Sequence, residues 1–248
     1  MTSRRRNMPL LIAFFLTTLV SQPLLALQIG SRPAAEWIPH LERPERVAGL
    51  KIDQVLEIIG VKPGMVIADI GSGSGVFTRP FAKAAAPSGK AIAVDIDPAL
   101  LSSVAESAAK EGIKNIETHL AVPDDAQLSG PIVDVAFIHD VLHHIEHREI
   151  YLQNLARYIK PDGRIVIIEN AAHAGPHGPR ENDPNAAMHQ QMHGNAHGTM
   201  QHQGETIEMS SERAKVDAML AAAGFFPAQE SNLFGADKFF VIFSRNKN

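Results

Sequence analysis

Cysteine is absent from all 248 residues. That excludes disulfides, thiolate metal sites, a cysteine nucleophile and a lipid-modified N-terminal cysteine. Cations are also scarce: 23 Lys and Arg face 27 Asp and Glu, for a formal net charge of −4. Three of those cations, Arg4, Arg5 and Arg6, stand at the start of the chain, and no basic cluster follows them. Nucleic-acid binding leaves a footprint of clustered Lys and Arg, so that partner class is excluded. Long apolar runs are missing too. The longest, Pro9 to Val20, falls short of the ~20 residues that comfortably span a bilayer.

What is present begins with that N-terminus. A positive triplet, a short apolar run and a small residue at Ala26 predict a secretory signal peptide over residues 1–26. Export to the periplasm or the exterior follows. The alternative is an uncleaved anchor, because apolar character resumes from Leu24 to Ile29. In that case the membrane is met through this segment alone. Residues 27–44, interrupted by Pro33, Pro39 and Pro44, read as an irregular approach segment. Residues 45–248, part of a chain 45% hydrophobic, suffice for one domain with one sizeable core.

Within that domain short apolar runs alternate with amphipathic stretches. Strands are expected at Met65–Ile70, Lys90–Asp95, Asn115–Leu120, Ile132–His139 and Arg164–Glu169. Helices are expected over Glu45–Ile59 (as one or a pair), Gly75–Ala86, Pro98–Glu111 and about Leu142–Tyr158, with a turn at Lys160–Gly163. A helix from Ser210 or Ser211 through Ala223 and two strands, Phe225–Glu230 and Asp237–Phe243, close the chain. Such alternation predicts an α/β fold with a mostly parallel, doubly wound sheet. Residues 171–208 break the rhythm and read as a His/Met-rich insertion.

The chemistry gathers around Val66-Ile67-Ala68-Asp69-Ile70-Gly71-Ser72-Gly73-Ser74-Gly75. A buried strand ends in an acid, and alternate glycines then let the backbone turn tightly and a ligand approach. Ligands of doubly wound sheets lie outside the carboxyl ends of the strands. The spacing G-x-G-x-G departs from the dinucleotide fingerprint G-x-G-x-x-G and so disfavours a nucleotide-dependent oxidoreductase. A second acid, Asp95, ends the next strand, where a carboxylate suits the two hydroxyls of a ribose.

From Glu42 to Phe243 the chain resembles the class I S-adenosylmethionine-dependent methyltransferases. The glycine turn and Asp95 carry the resemblance, together with Val133–Asp140, Val141-Leu142-His143-His144-Ile145, the Leu155–Arg164 lead into the fifth strand, and Gly224-Phe225 before a Phe-rich last strand. Asp162 stands where the family usually has glycine, an ordinary turn residue. The resemblance implies a seven-stranded sheet of order 3-2-1-4-5-7-6 with an antiparallel last strand. It implies S-adenosylmethionine as cofactor and methyl transfer to a small-molecule acceptor. Gly71, Ser72, Gly73 and Gly75 would cradle the methionine part, and Asp69 would meet its amino group. Asp95 would hold the ribose, and Ile96 would lie against the adenine. Asp124 or, preferably, Asp125 would accept from the adenine amino group, and His139 would face the amino-acid part.

Methyl transfer asks chiefly for placement, because the methyl group arrives activated. A base is needed only for an acceptor that arrives protonated. Asp140, His143 and His144 are the candidates, alongside the alternative that the histidines merely start a helix. In the insertion, His189, His193 and His197 are spaced four apart, among Met188, Met192 and Met200. Imidazole with thioether suits copper, and imidazole alone suits zinc or nickel. Gly194, Asn195 and Gly198 weigh against a helix that would align them. Arg43 and Arg46 are candidates for the cofactor carboxylate or an acidic substrate. The rival to an enzyme is an exported cofactor- or metal-binding protein on the same fold.

Overall fold

In the computed structural model, residues 34–171 and 210–245 are described. The predicted signal peptide, most of the insertion and His189, His193 and His197 lie outside the described residues. Three short helices lead in: α1 (Ala34–Leu41), α2 (Pro44–Gly49) and α3 (Ile52–Ile59). Then come β1 (Val66–Ile70), α4 (Thr78–Ala85), β2 (Lys90–Asp95), α5 (Pro98–Lys110), β3 (Ile116–Leu120) and β4 (Val133–His139). A 3-10 turn at Leu142–His144 precedes α6 (Arg148–Ala156) and β5 (Ile159–Asn170). The helix α7 (Ser210–Ala222), β6 (Phe226–Ser231) and β7 (Lys238–Ser244) complete the chain.

The seven strands form one sheet of order β3-β2-β1-β4-β5-β7-β6. The first five pair in parallel, and β7 runs antiparallel to both β5 and β6. This is the order the resemblance implies. Side chains alternate across the sheet, as strand geometry requires. Ile67, Val135, Phe137, Val166 and Ile168 face α3 and α4, with Phe81 and Ile59 at the centre of that layer. Ala68, Ile70, Ala136, Ile138, Ile165 and Ile167 face Leu152 and Leu155 of α6 and Val216 and Leu220 of α7. Phe81, Phe137, Phe240 and Phe243 are fully buried, each removal from water contributing roughly 1.5–3 kcal/mol.

Three local readings are corrected. The approach segment, where it is described, is not irregular throughout: Ala34–Leu41 is helical with Pro39 inside it. Proline removes its own donor and crowds the carbonyl four residues back, and contacts of α1 with α5 and of Leu41 with Gly73 hold the turn against that cost. The helix expected from Leu142 to Tyr158 is divided, because Ile145 takes an extended backbone after the 3-10 turn. Lys160–Gly163 is not a turn before β5 but a bulge within it. Val133 pairs with Ile159 and Val135 with Arg164, so the extra residues loop out of the ladder. A Cβ at Gly163 would sit 2.8 Å from the Val133 carbonyl oxygen, so the bulge closes only on glycine.

Candidate cofactor and acceptor site

Order reverses between β1 and β4, and the site lies beyond their carboxyl ends. Ile70 is level with Ile138 and Val94, so the glycine turn, His139 and Asp95 share one rim. The Gly71 and Ser72 N–H groups donate to the Val94 carbonyl at 2.8 and 3.1 Å, fastening the turn to β2. Gly71, Gly73 and Gly75 have φ of +65°, +54° and +79°. A Cβ at Gly71 would lie 2.5 Å from the Val141 side chain, and one at Gly73 would lie 3.1 Å from Leu41. These glycines therefore meet a conformational and a packing demand at once, the packing partners arriving from the end of β4 and from α1.

Asp95 is 9% exposed and fixed by two backbone donors. Gly73 N–H donates to Oδ2 at 2.9 Å and Asp97 N–H to Oδ1 at 3.0 Å. Each carboxylate oxygen keeps lone-pair capacity, which is what a vicinal diol needs. Burial raises its pKa, opposed by those two N–H groups. Asp69 is deeper. Its Oδ2 accepts from the Thr78 hydroxyl at 2.5 Å. Burial pushes its pKa up to about 7; the Thr78 bond opposes the shift and the Asp95 charge adds to it. The hydroxyls of Ser72 and Ser74 are buried without a hydrogen-bond partner among the described residues.

Past the ends of β2 and β3, Ile96, Leu120 and Val122 are 46%, 52% and 40% exposed. Large apolar side chains this open, beside a buried carboxylate, offer a surface for a flat ring. Asp125 is committed within its own loop. Its Oδ1 accepts from Gln127 N–H and Tyr158 O–H, both at 2.7 Å, while Oδ2 has one long contact to Arg157 at 3.4 Å. Asp124 pairs with His147 at 3.0 Å.

On the other side of the glycine turn, His139 packs against Phe77 and Phe137. Its Nε2 is buried and has no partner among the described residues. Burial lowers its pKa to about 4, helped by Lys238 and Arg46 and opposed by Asp140. Asp140 has a φ of +53° and is ion-paired with Lys238. Burial alone would raise its pKa, but the His139 and Lys238 interactions hold it at about 2. Arg46 donates to the Leu41 carbonyl at 2.9 Å, and burial lowers its pKa against the field of Asp140. Beside Lys238 a cleft of about 560 Å³ opens between the end of β5 and the β6–β7 hairpin, lined by Ala171, Arg213, Asn232, Phe239 and Phe240.

Within the 3-10 turn, His143 Nδ1 lies 2.8 Å from Glu169 Oε1 at the end of β5. The His144 ring lies against that of His143, tilted by 44° with centroids 4.0 Å apart. Arg79 of α4 holds Glu42 at 3.0 Å and Glu111 at 2.9 Å, tying the segment after α1 to α4 and α5. Sequence reasoning passed over Glu169, Lys238, Thr78 and Arg79. Glu169 carried a signal of the kind that marked Asp69 and Asp95, a lone acid ending an apolar run. Lys238 had none, because it reaches Asp140 across 98 residues.

The donor set fits the implied S-adenosylmethionine: an acid at the turn, a two-oxygen acceptor at Asp95, serine hydroxyls without a partner among the described residues and an apolar shelf. Among the described residues no group of three or more His, Asp or Glu could hold a metal ion. The three histidines proposed as ligands lie outside them.

Comparison with known proteins follows the same lines. The family described as "Methyltransferase domain" matches residues 61–224. The chain is similar to the ubiquinone/menaquinone biosynthesis C-methyltransferase of Ectopseudomonas mendocina, 26% identical over 185 residues, covering 73% of this chain and 72% of that one. Its counterpart from Cupriavidus taiwanensis is 31% identical over 115 residues, covering 44% and 45%. Among solved structures, an S-adenosylmethionine-dependent methyltransferase from Aquifex aeolicus superposes with a TM-score of 0.65 at 22% identity, covering 86% of this chain and 98% of that one. A TehB-like methyltransferase from Corynebacterium glutamicum gives 0.57 at 15% identity, covering 86% and 100%. At those identities the structures speak for the fold.

Proposed function

We propose, because the chain belongs to the class I S-adenosylmethionine-dependent methyltransferases, that its methyl group goes to a small organic acceptor seated against the ends of β4 and β5. The observation that carries the reading is Asp95, buried and held by Gly73 N–H on the rim of the glycine turn. When bound, the cofactor supplies an activated methyl group on a sulfonium. The protein's work is then placement. Asp95 holds the ribose hydroxyls, Ile96 and Val122 carry the adenine, and Asp69 with the Ser72 and Ser74 hydroxyls meets the amino-acid end. His139, neutral at physiological pH, lends to the same end its Nε2, which has no partner among the described residues, and Arg46 supplies the cation for a carboxylate. Asp140 fixes Lys238 at the mouth of the acceptor cleft. Relatives named as C-methyltransferases of ubiquinone/menaquinone biosynthesis support quinone-related ring compounds as the first acceptors to assay.

We also propose that residues 1–26 direct export, supported by the arginine triplet and the apolar run behind it. N-terminal sequencing of protein from fractionated cells is expected to begin at Leu27; a chain still starting at Arg4 to Arg6 would remove that part of the reading.

Calorimetry with S-adenosylmethionine and with NAD tests the main reading. Binding of the first alone is expected, followed by transfer of labelled methyl to one of a panel of ring acceptors. Failure to bind S-adenosylmethionine defeats the proposal. Binding without transfer to any acceptor favours the non-catalytic binding protein.

A further inference from the structure

We infer that Lys238 selects the acceptor: the small molecule that receives the methyl group presents an ionised oxygen, a carboxylate or a phenolate, to this ammonium while its apolar ring lies in the cleft beside Phe239. This rests on the methyl-transfer reading above and narrows its acceptor to anionic ring compounds.

Lys238 opens β7 and pairs with Asn170 at the end of β5. Its side chain crosses that strand end to reach Asp140, just past the end of β4. Asp140 is itself fastened there, since its N–H donates to the Ile168 carbonyl at 3.0 Å. One residue back, His139 pairs with Ile168, and Ile138 is level with Ile70, where the glycine turn begins. The ammonium therefore belongs to two places at once. It lines the acceptor cleft, and it stands at the strand ends that flank the cofactor turn. A group that orients an acceptor needs both addresses, because the atom it orients has to come into line with the methyl group.

The ammonium is positioned but not satisfied. It carries three N–H donors, and Asp140 Oδ1 accepts one. The other two have no partner among the described residues, although the side chain is only 18% exposed. An open cleft leaves such donors to water, and a ring that covers the cleft takes the water away. A ring without an oxygen would strand them, a loss of roughly tenfold or more in affinity. An oxygen on the ring restores the bonds. An ionised oxygen restores them best, since charge-assisted hydrogen bonds are about twice as strong as neutral ones.

The neighbours suit the same ligand. Ser231 Oγ accepts from Leu233 N–H at 3.2 Å, which leaves the hydroxyl hydrogen for a second oxygen. Ala171, Phe239 and Phe240 supply the apolar wall. Arg213, the other cation lining the cleft, is differently employed. It holds Asp217 at 2.8 Å and Glu230 at 2.6 Å and lies over the Phe239 ring. Glu230, the acid on this wall, is thereby paired rather than left to repel an anion.

Calorimetry on the full-length protein saturated with S-adenosylhomocysteine, which has no methyl group to give, reads the cleft without turnover. The probes are 2-naphthoate against methyl 2-naphthoate and 4-nitrophenolate against 4-nitroanisole, pairs that differ in the charged oxygen. In the wild type the anion is expected to bind at least tenfold more tightly than its neutral partner. A preference confined to one pair names carboxylate or phenolate as the oxygen recognised. Lys238→Met keeps the length of the side chain without its charge or donors. It is expected to lose at least tenfold for the anion while the neutral partner stays within threefold. Where the stranded Asp140 prevents folding, the double variant D140N/K238M carries the same expectation, because asparagine tolerates the left-handed backbone at that position. Equal affinities within both pairs in the wild type, or no binding of either anion at millimolar concentration, overturns the inference. So do equal losses for anion and neutral partner in K238M, which would mark Lys238 as merely structural. The wild-type titrations stand even where the variants fold poorly. Failure of S-adenosylhomocysteine to bind instead sinks the methyl-transfer reading, and the same titrations without it still decide Lys238.

Discussion

Asp95 uses both oxygens on backbone donors, Gly73 N–H and Asp97 N–H, before any ligand arrives. Asparagine at this position turns one acceptor into a donor that faces an N–H group, and the rim of the turn is repelled from β2. Loss of one such bond costs about 1–3 kcal/mol. Asp95→Asn is therefore expected to weaken S-adenosylmethionine binding at least tenfold by calorimetry, with the fold retained by circular dichroism. Asp69 behaves differently, because its carboxyl group titrates near neutrality, at about 7, and the hydroxyl and backbone N–H of Thr78 that it meets carry no charge. A cationic amino group brought to it stabilises the charged form and expels the proton. At pH 7 binding is expected to release about half a proton per site. Calorimetry in two buffers of different ionisation enthalpy checks this, and Asp69→Asn should abolish the buffer dependence.

At the scale of elements, α1 and α2 depend on a small set of ties. Leu41 sits over Gly73, and Arg79 clasps Glu42 and Glu111 with only 12% of its side chain exposed. Its partners are 34% and 39% exposed, so each ion pair contributes about 1 kcal/mol at most. Arg79→Ala is expected to cost little in global stability but to raise amide exchange across residues 36–50 and weaken cofactor binding severalfold. Unchanged exchange there would mean that packing alone seats α1. Much of this architecture was legible, for identifiable reasons. Strand β2 was read with its full bounds, because an apolar run between Gly89 and Asp95 has clear punctuation. The break at Ile145 was not, since Ile145-Glu146-His147 contains neither Gly nor Pro and its conformation is set by tertiary contacts. The bulge at 160–163 wore the composition of a turn, and only pairing with β4 shows that the ladder resumes beyond it. Within the site, the residues set by local grammar, Asp69, Gly71, Gly73 and Asp95, were readable. Glu169 with His143 and Lys238 with Asp140 are assembled by sheet order, over 26 and 98 residues, and no local spacing announces them.

At the scale of the whole molecule, two buried groups set opposing pH dependences. Asp69 has a folded pKa near 7 against an ordinary value of 3.8. Between those limits the folded state holds a proton that the unfolded chain has lost, so Asp69 makes stability fall as pH rises. His139 has a folded pKa near 4 against 6.5. Between those limits the unfolded chain holds the extra proton, so His139 makes stability rise with pH, and its contribution is lost as pH falls toward 4. Each bound proton is worth about 1.4 kcal/mol per pH unit. From about pH 4 to 6.5 the two slopes cancel, and above 6.5 only the fall due to Asp69 remains, ending near 7. Asp140, held at about 2, acts below this window, its contribution being lost only as pH drops under 3.8. Denaturant unfolding at half-unit pH steps isolates the pair when variants are subtracted from wild type. Asp69→Asn should expose the rise due to His139, and His139→Asn should expose the fall due to Asp69, with slopes of opposite sign across the same window. Slopes of one sign in both variants would mean that the two groups do not share this buried environment. The cofactor is expected to flatten the Asp69 limb, because an ammonium group beside that carboxylate returns it to the charged form at neutral pH. The stability cost of an acid buried under the glycine turn is then the energy that cofactor binding recovers.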